Sequence, residues 1–126
     1  MPLVRISLRQ GKPPEYRKAI RDGVYDAMRE TFEVPKDDRF MVVSEHEAED
    51  FDYDARYFGI DRSDDLVILQ LTVSNTRTLE QKKALYRRIV ERLGGNPGIR
   101  PQDVFINLVD VNKENWSFGN GEAQYA

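Results

Sequence analysis

Apolar and polar residues alternate at the start of the chain. Val4, Ile6 and Leu8 fall on one side, with Leu3, Arg5 and Ser7 on the other. A period of two marks a strand. Pro13 and Pro14 then break the chain, and proline is tolerated in the first turn of a helix. Ile20, Val24, Ala27, Met28 and Phe32 follow at helical spacing and share one face. The same order returns further along. Leu66–Val73 is apolar at most positions, as a strand covered on both faces is. Thr78-Leu79-Glu80-Gln81 is a capping-box pattern, Leu85, Ile89 and Leu93 continue on one face, and Gly94-Gly95 end that helix. Arg39–Ser44 and Val104–Val109 read as outer strands, with Pro35 and Pro101 just before them.

The two halves also match residue by residue. Lys18 and Lys83 stand 65 positions apart, and the same shift pairs Glu15 with Glu80, Ala19 with Ala84 and Ile20 with Leu85. It further pairs Val24 with Ile89, Met28 with Leu93, Asp38 with Asp103 and Phe40 with Phe105. Amphipathic patterning alone would reproduce the apolar spacing but not the matched Glu, Lys and Asp. The reading is an α+β fold: two β-α-β units, about 2–44 and 66–110, related by a pseudo-twofold axis. They form a four-stranded sheet with two helices on one face, in a single domain over 1–126. Glu45–Asp65 joins the units; its acidic run reads as a solvated connection rather than a metal site. His46, the lone histidine, reads as structural or solvent-exposed. The tail 111–126 is rich in Asn and Gly but carries Trp116 and Phe118, which suggests docking onto something, such as another subunit.

Composition narrows the function classes. The chain has 126 residues, 40% hydrophobic and 33% charged, normal for a soluble globular protein. No stretch approaches the roughly 18 apolar residues that span a bilayer, and the N-terminus lacks a signal-peptide layout. Cysteine is absent, so thiol catalysis and disulfides are excluded and a cytoplasmic location is expected. A net charge of −3 and a pI near 5.2 speak against a nucleic-acid partner. One histidine and no cysteine speak against structural zinc. The strand order is shared with RNA-binding modules. The basic-Gly-aromatic-Gly-aromatic pattern those need is missing from both Val104–Val109 and Leu66–Val73.

Candidate chemistry begins at Pro2. Removal of an initiator Met before a small residue is the usual cellular outcome, and it would free a prolyl amine at the head of the first strand. An α-amino group titrates at about 7.7–8.0, close to working pH, which suits general acid–base catalysis. The pseudo-twofold axis lays the two first strands side by side and antiparallel. The start of the first strand then neighbours the end of Leu66–Val73, which leads through Ser74–Thr78 into the second helix. A helix N-terminus beside Arg77 suits a carboxylate. Pro2 and Arg77 are therefore expected to share a cleft. At the opposite end the equivalents are Val67 and Lys12. Val67 is mid-chain and has no free amine, so one site per chain is expected.

Met1-Pro2-Leu3, Val34-Pro35-Lys36-Asp37-Asp38-Arg39-Phe40, Arg77 with Glu80-Gln81-Lys82, and Trp116-Ser117-Phe118-Gly119 carry a resemblance. The chain resembles the tautomerase superfamily over essentially its whole length, in particular the branch containing malonate semialdehyde decarboxylase. The resemblance implies a homotrimer with Pro2 as the catalytic group and Arg77 as the holder of a small-molecule carboxylate substrate. Asp38 matches an acidic residue that assists the proline and a water. Trp116 and Phe118 match residues of a hydrophobic wall, beside Phe40. No metal or organic cofactor, no nucleic acid and no membrane are implied. One position departs. Decarboxylating members carry an arginine two residues before the match to Arg77, where this chain has Asn75, and an amide cannot replace a guanidinium on a carboxylate. Two chemistries stay open. Apolar walls at Phe40, Trp116 and Phe118 would favour a neutral amine and keto–enol tautomerisation of a small, phenylpyruvate-like 2-oxo acid. A close Asp38 would favour a cationic one and decarboxylation or hydration of a 3-oxo acid such as malonate semialdehyde. A trimer that kept the fold and lost catalysis is the third reading.

Overall fold

A computed structural model describes residues 2–126. Met1, on whose removal a free prolyl amine depends, lies outside the described residues. The elements are β1 (Leu3–Arg9), α1 (Pro14–Phe32), β2 (Phe40–His46), β3 (Val67–Ser74), α2 (Leu79–Gly95) and β4 (Val104–Val111). The sheet order is β2-β1-β3-β4. Each helix crosses over between parallel neighbours, so β1 pairs parallel with β2 and β3 with β4. The two units meet at the antiparallel pair β1–β3, with Leu3 opposite Thr72. This is the arrangement a pseudo-twofold axis demands.

Both helices lie on one face because alternate strand positions offer them an apolar floor. Val4, Ile6 and Leu8 of β1 and Leu69, Leu71 and Val73 of β3 are buried there. They meet Ile20, Val24, Ala27, Met28 and Phe32 from α1 and Leu85, Ile89 and Leu93 from α2. The helices approach closely at Gly23, where an added Cβ would stand 2.9 Å from Leu93 Cδ2. Helix α2 starts on the predicted capping box: the Thr78 hydroxyl accepts from Gln81 N, and the Gln81 side chain accepts from Thr78 N. It runs through Gly94 and Gly95 before Asn96 closes it, since both glycines keep helical dihedrals.

Two expectations change. First, β3 is not covered on both faces within one protomer: Gln70 is exposed and Ile68 and Thr72 are half-buried. The face away from the helices is open, and it carries exposed Phe40, Val42 and Phe105. Second, the duplicated unit does not stop at the outer strands. A short 3-10 turn at Ala48–Asp50 follows β2, and one at Lys113–Asn115 follows β4, again 65 positions on. Behind them, Phe51 and Tyr53 answer to Trp116 and Phe118, each an aromatic pair (ring centroids 6.3 and 5.6 Å). The supposed connection and tail therefore each begin with a stretch of the repeat. Glu45 and His46 belong to β2. His46 is half-buried, with its ring 5.8 Å from that of Phe51.

Candidate active site

Pro2 is buried immediately before β1. It opens on a cavity of about 190 Å3 lined by Pro2, Leu3, Phe40, Trp116, Ser117 and Phe118. The parallel register explains the first part of this wall, because Phe40 heads β2 directly opposite Leu3. The tail supplies the rest. The Trp116 indole donates to Ser74 Oγ at the end of β3 (3.2 Å), which pins the tail over the head of β1. Trp116 and Phe118 stack with their planes 20° apart, and Tyr125 meets Phe118 edge-on at 4.9 Å. Gln124 closes the turn: its amide accepts from Phe118 N (3.0 Å) and donates to Gly119 O (2.9 Å). The tail thus folds back on itself and holds the aromatic wall from behind.

The cavity brings together four of the residues singled out in the sequence: Pro2, Phe40, Trp116 and Phe118. Asp38, Asn75 and Arg77 are not among its lining residues. They stand at the same end of the sheet. Asp38 precedes the head of β2 by two residues and is half-buried. Asn75 continues β3: its backbone N–H donates to Val111 O (3.0 Å) and its side-chain amide to Asn112 Oδ1 (2.9 Å). Arg77 is half-buried and turned toward the C-terminus of α1. Its Nη2 donates to Phe32 O (3.0 Å), its Nη1 to Thr76 Oγ1 (3.1 Å), and its guanidinium carbon lies 4.9 Å from the Phe32 ring centroid. A helix C-terminus carries partial negative charge, so this is a favourable seat for the cation. Arg39, the other cation beside the site, is committed to Asp22 (2.6 Å) and stacked on Tyr25.

Leu3 and Ser117 line the cavity, and Ser74, Gln124 and Tyr125 hold its wall, without having been singled out for those places. Ser117 sits inside the Trp-Ser-Phe-Gly tetrapeptide and could have been read from it. Gln124 has no local signature, because its role depends on the turn at Gly119–Gly121, where all three residues have positive φ. Chemically, the arrangement is an apolar pocket with Pro2 in its lining. Arg77 stands at the same end of the sheet outside that lining and is held at the end of α1, so the structure does not bring the two into one cavity. The pocket suits the apolar body of a small molecule, and the guanidinium suits a carboxylate.

Comparison with known proteins identifies the family. Two tautomerase enzyme families match, over residues 38–119 and 2–54. The chain is 42% identical to the probable tautomerase YusQ of Bacillus subtilis (strain 168), over 98% of each protein. It is 35% identical to the probable tautomerase YrdN of the same organism, over 99% of this chain and 96% of the relative. Among solved structures, a malonate semialdehyde decarboxylase studied for its decarboxylase and hydratase activities superposes with a TM-score of 0.90 at 32% identity, covering 98% of this chain and 95% of that one. FG41 malonate semialdehyde decarboxylase inhibited by 3-bromopropiolate does so at 0.90 and 36%, covering 98% and 93%. A fused 4-OT in a symmetric trimer shares the fold at 0.80 and 21%, covering 98% and 97%. With family matches, full-length relatives and strand order in agreement, the chain belongs to the tautomerase family.

Proposed function

We propose that the protein is a keto–enol tautomerase of a small, phenylpyruvate-like 2-oxo acid, with the secondary amine of Pro2, freed by loss of Met1, as general acid and base. The observation that carries this reading is the placement of Pro2: at the head of β1, in the floor of an apolar pocket walled by Phe40, Trp116 and Phe118. Such walls disfavour a charged ammonium, and the tautomerase reading requires the neutral form. A neutral nitrogen takes the proton from the carbon alpha to the substrate carbonyl and returns it to the enol oxygen, or the reverse. The pocket suits a phenyl-sized group, since an apolar cavity of roughly 150 Å3 accommodates benzene. In this reading the carboxylate is held by Arg77, at the same end of the sheet. A guanidinium has five N–H donors, and Arg77 gives two hydrogen bonds within the protein, so donors remain for a carboxylate. Asp38 adjusts the charge on the proline, and Asn75 lines the approach. The reading needs neither metal nor organic cofactor.

The working unit in this reading is a homotrimer. The open face of the sheet, on which Val42 is exposed, supports burial against other copies, as does the trimeric assembly of a protein with the same fold.

Decarboxylation or hydration of a 3-oxo acid is the second reading, favoured by the two semialdehyde decarboxylase relatives. Against it stands Asn75, an uncharged amide bonded to Asn112 where decarboxylating members carry a cation.

One sample tests the proposal: mass spectrometry of the N-terminus together with phenylpyruvate and malonate semialdehyde assays. Protein lacking Met1 should tautomerise phenylpyruvate, and Pro2→Ala should lower kcat/KM at least about a hundredfold, as expected for loss of a general acid–base group. Retained activity in Pro2→Ala sinks the assignment. Processed wild-type protein that is inert on both substrates supports the non-catalytic reading instead.

A further inference from the structure

The 65-residue correspondence carries the candidate site to the opposite end of the sheet. A second cavity there, of about 230 Å3, is walled by Ile68, Phe105 and Tyr53, which stand where Leu3, Phe40 and Phe118 stand in the first. The shapes are related, but the chemistry is inverted. Val67, mid-chain, replaces the proline. Lys12, the counterpart of Arg77, is paired with Asp65 (2.7 Å). Asp103, the counterpart of Asp38, is buried and held by Ser63 and Arg100. Neither charge of the first site is available to a ligand in the second.

Other groups face this cavity. Asp52 and Asp54 are its acidic lining residues, and Tyr53, Tyr57 and Phe105 its aromatic ones. The Tyr53 hydroxyl donates to Asp64 (2.7 Å), which fixes the phenol and leaves its ring as wall. Asp54 accepts the Arg56 amide on one oxygen. Arg62 is the single cation in the lining. Its Nη1 donates to the carbonyls of Asp54 and Tyr57, so it ties the loop together.

We propose that this second cavity is a binding site in its own right, for a small organic ammonium ion with an apolar body. Aromatic faces attract a cation through their quadrupoles. Two carboxylates outweigh one guanidinium, and Leu66, Ile68 and Phe105 take the apolar part. A carboxylate ligand meets the opposite balance of charge, two acids against the single Arg62. The two ends of the sheet thus select opposite charges on bodies of similar size. This holds whichever reaction the first site performs.

The test is an NMR titration of backbone amides in the intact protein with phenethylammonium and, as its near-isosteric opposite, 3-phenylpropionate. The ammonium should shift residues 52–57, Ile68 and Phe105 saturably, and the carboxylate should leave them unmoved. The double variant Asp52→Asn with Asp54→Asn should bind the ammonium at least about fivefold more weakly. Tyr57→Ala should also weaken it, with no change in the spectrum elsewhere. Equal response to the two probes, or unchanged affinity in both variants, overturns the proposal. So does the absence of any saturable shift, as when a neighbouring copy of this chain fills the cavity. Pro2→Ala separates the two sites: it abolishes turnover under the tautomerase reading and leaves the ammonium titration intact.

Discussion

Asp103 offers the sharpest test of how the fold treats its duplicated residues. Its side chain is 1% exposed. It accepts Ser63 N and Ser63 Oγ, both at 2.7 Å, and Arg100 Nε at 3.0 Å. Arg100 also donates to Asp61 O (3.0 Å), so one carboxylate pins the end of the connection against the head of β4. Asp103→Asn keeps the shape. The amide carbonyl can still accept one bond, at neutral strength. The amide nitrogen must face a former donor, either Ser63 or Arg100. Hydrogen bonds to a charged group contribute about 1.5–3 kcal/mol each and neutral ones about 1. Arg100 is half-exposed, so its share is discounted for solvent screening. The expected loss is about 2–3 kcal/mol, or roughly 6–15 °C in Tm for a domain of this size.

The same carboxylate sets a pH signature. Burial alone pushes its pKa up, but hydrogen bonds from Arg100 and Ser63 and the charge of Arg100 outweigh burial and hold it below the ordinary carboxylate value. A folded pKa below the unfolded one stabilises the protein at pH above about 3.9, and that contribution is lost as pH falls through the lower, folded value. The difference between wild type and Asp103→Asn should therefore be complete at pH 7 and shrink toward pH 3. Urea unfolding followed by circular dichroism, at fixed protein concentration because self-association shifts the midpoint, measures it. A difference below about 0.5 kcal/mol, well under the contribution of one typical hydrogen bond, refutes the reasoning. So does one that is the same at both pH values.

Four further outcomes are expected. Gly23→Ala should cost about 1–2 kcal/mol, because a methyl 2.9 Å from Leu93 Cδ2 overpacks a buried contact and outweighs the helix-propensity gain. Gly95→Ala, with nothing within 4 Å, should gain about 0.5 kcal/mol; denaturant midpoints of the same sign for both would contradict this. Gln124→Ala removes the bonds that close the turn behind Phe118, so KM for phenylpyruvate should rise several-fold with kcat nearly unchanged; the reverse split in steady-state kinetics counts against a positioning role. Arg77→Lys keeps the charge but loses the planar fork, and should raise KM about tenfold while leaving the unfolding midpoint within about 1 kcal/mol of wild type.

The strands and helices were legible because each is written twice. Alternation at Val4, Ile6 and Leu8 and helical spacing at Ile20, Val24 and Met28 recur 65 residues later, so local ambiguity in one copy is resolved by the other. The order β2-β1-β3-β4 followed from that duplication. The hidden part is the stretch behind each outer strand. Phe51 and Tyr53 share only aromatic character with Trp116 and Phe118, and aromatic residues in polar segments carry no period. Arg77 was readable as a cation beside a helix start. Its anchor, the carbonyl of Phe32, lies 45 residues away and leaves no trace in the local pattern. Asp38 and Asp103 share a letter and an offset, yet Asp38 is half-buried while Asp103 is fully buried and held by Ser63 and Arg100. Environment separates them, and environment comes from residues far along the chain.

Trp116, the chain's single tryptophan, is both a wall of the first cavity and a hydrogen-bond donor to Ser74. Its emission therefore reports from one end of the sheet alone. A ligand entering beside Pro2 changes the polarity around that indole and strains the bond to Ser74, so occupancy can be followed without a label. The opposite cavity is lined by tyrosines and contains no indole. Excitation at the red edge, where tyrosine does not absorb, therefore follows the filling of the first cavity alone.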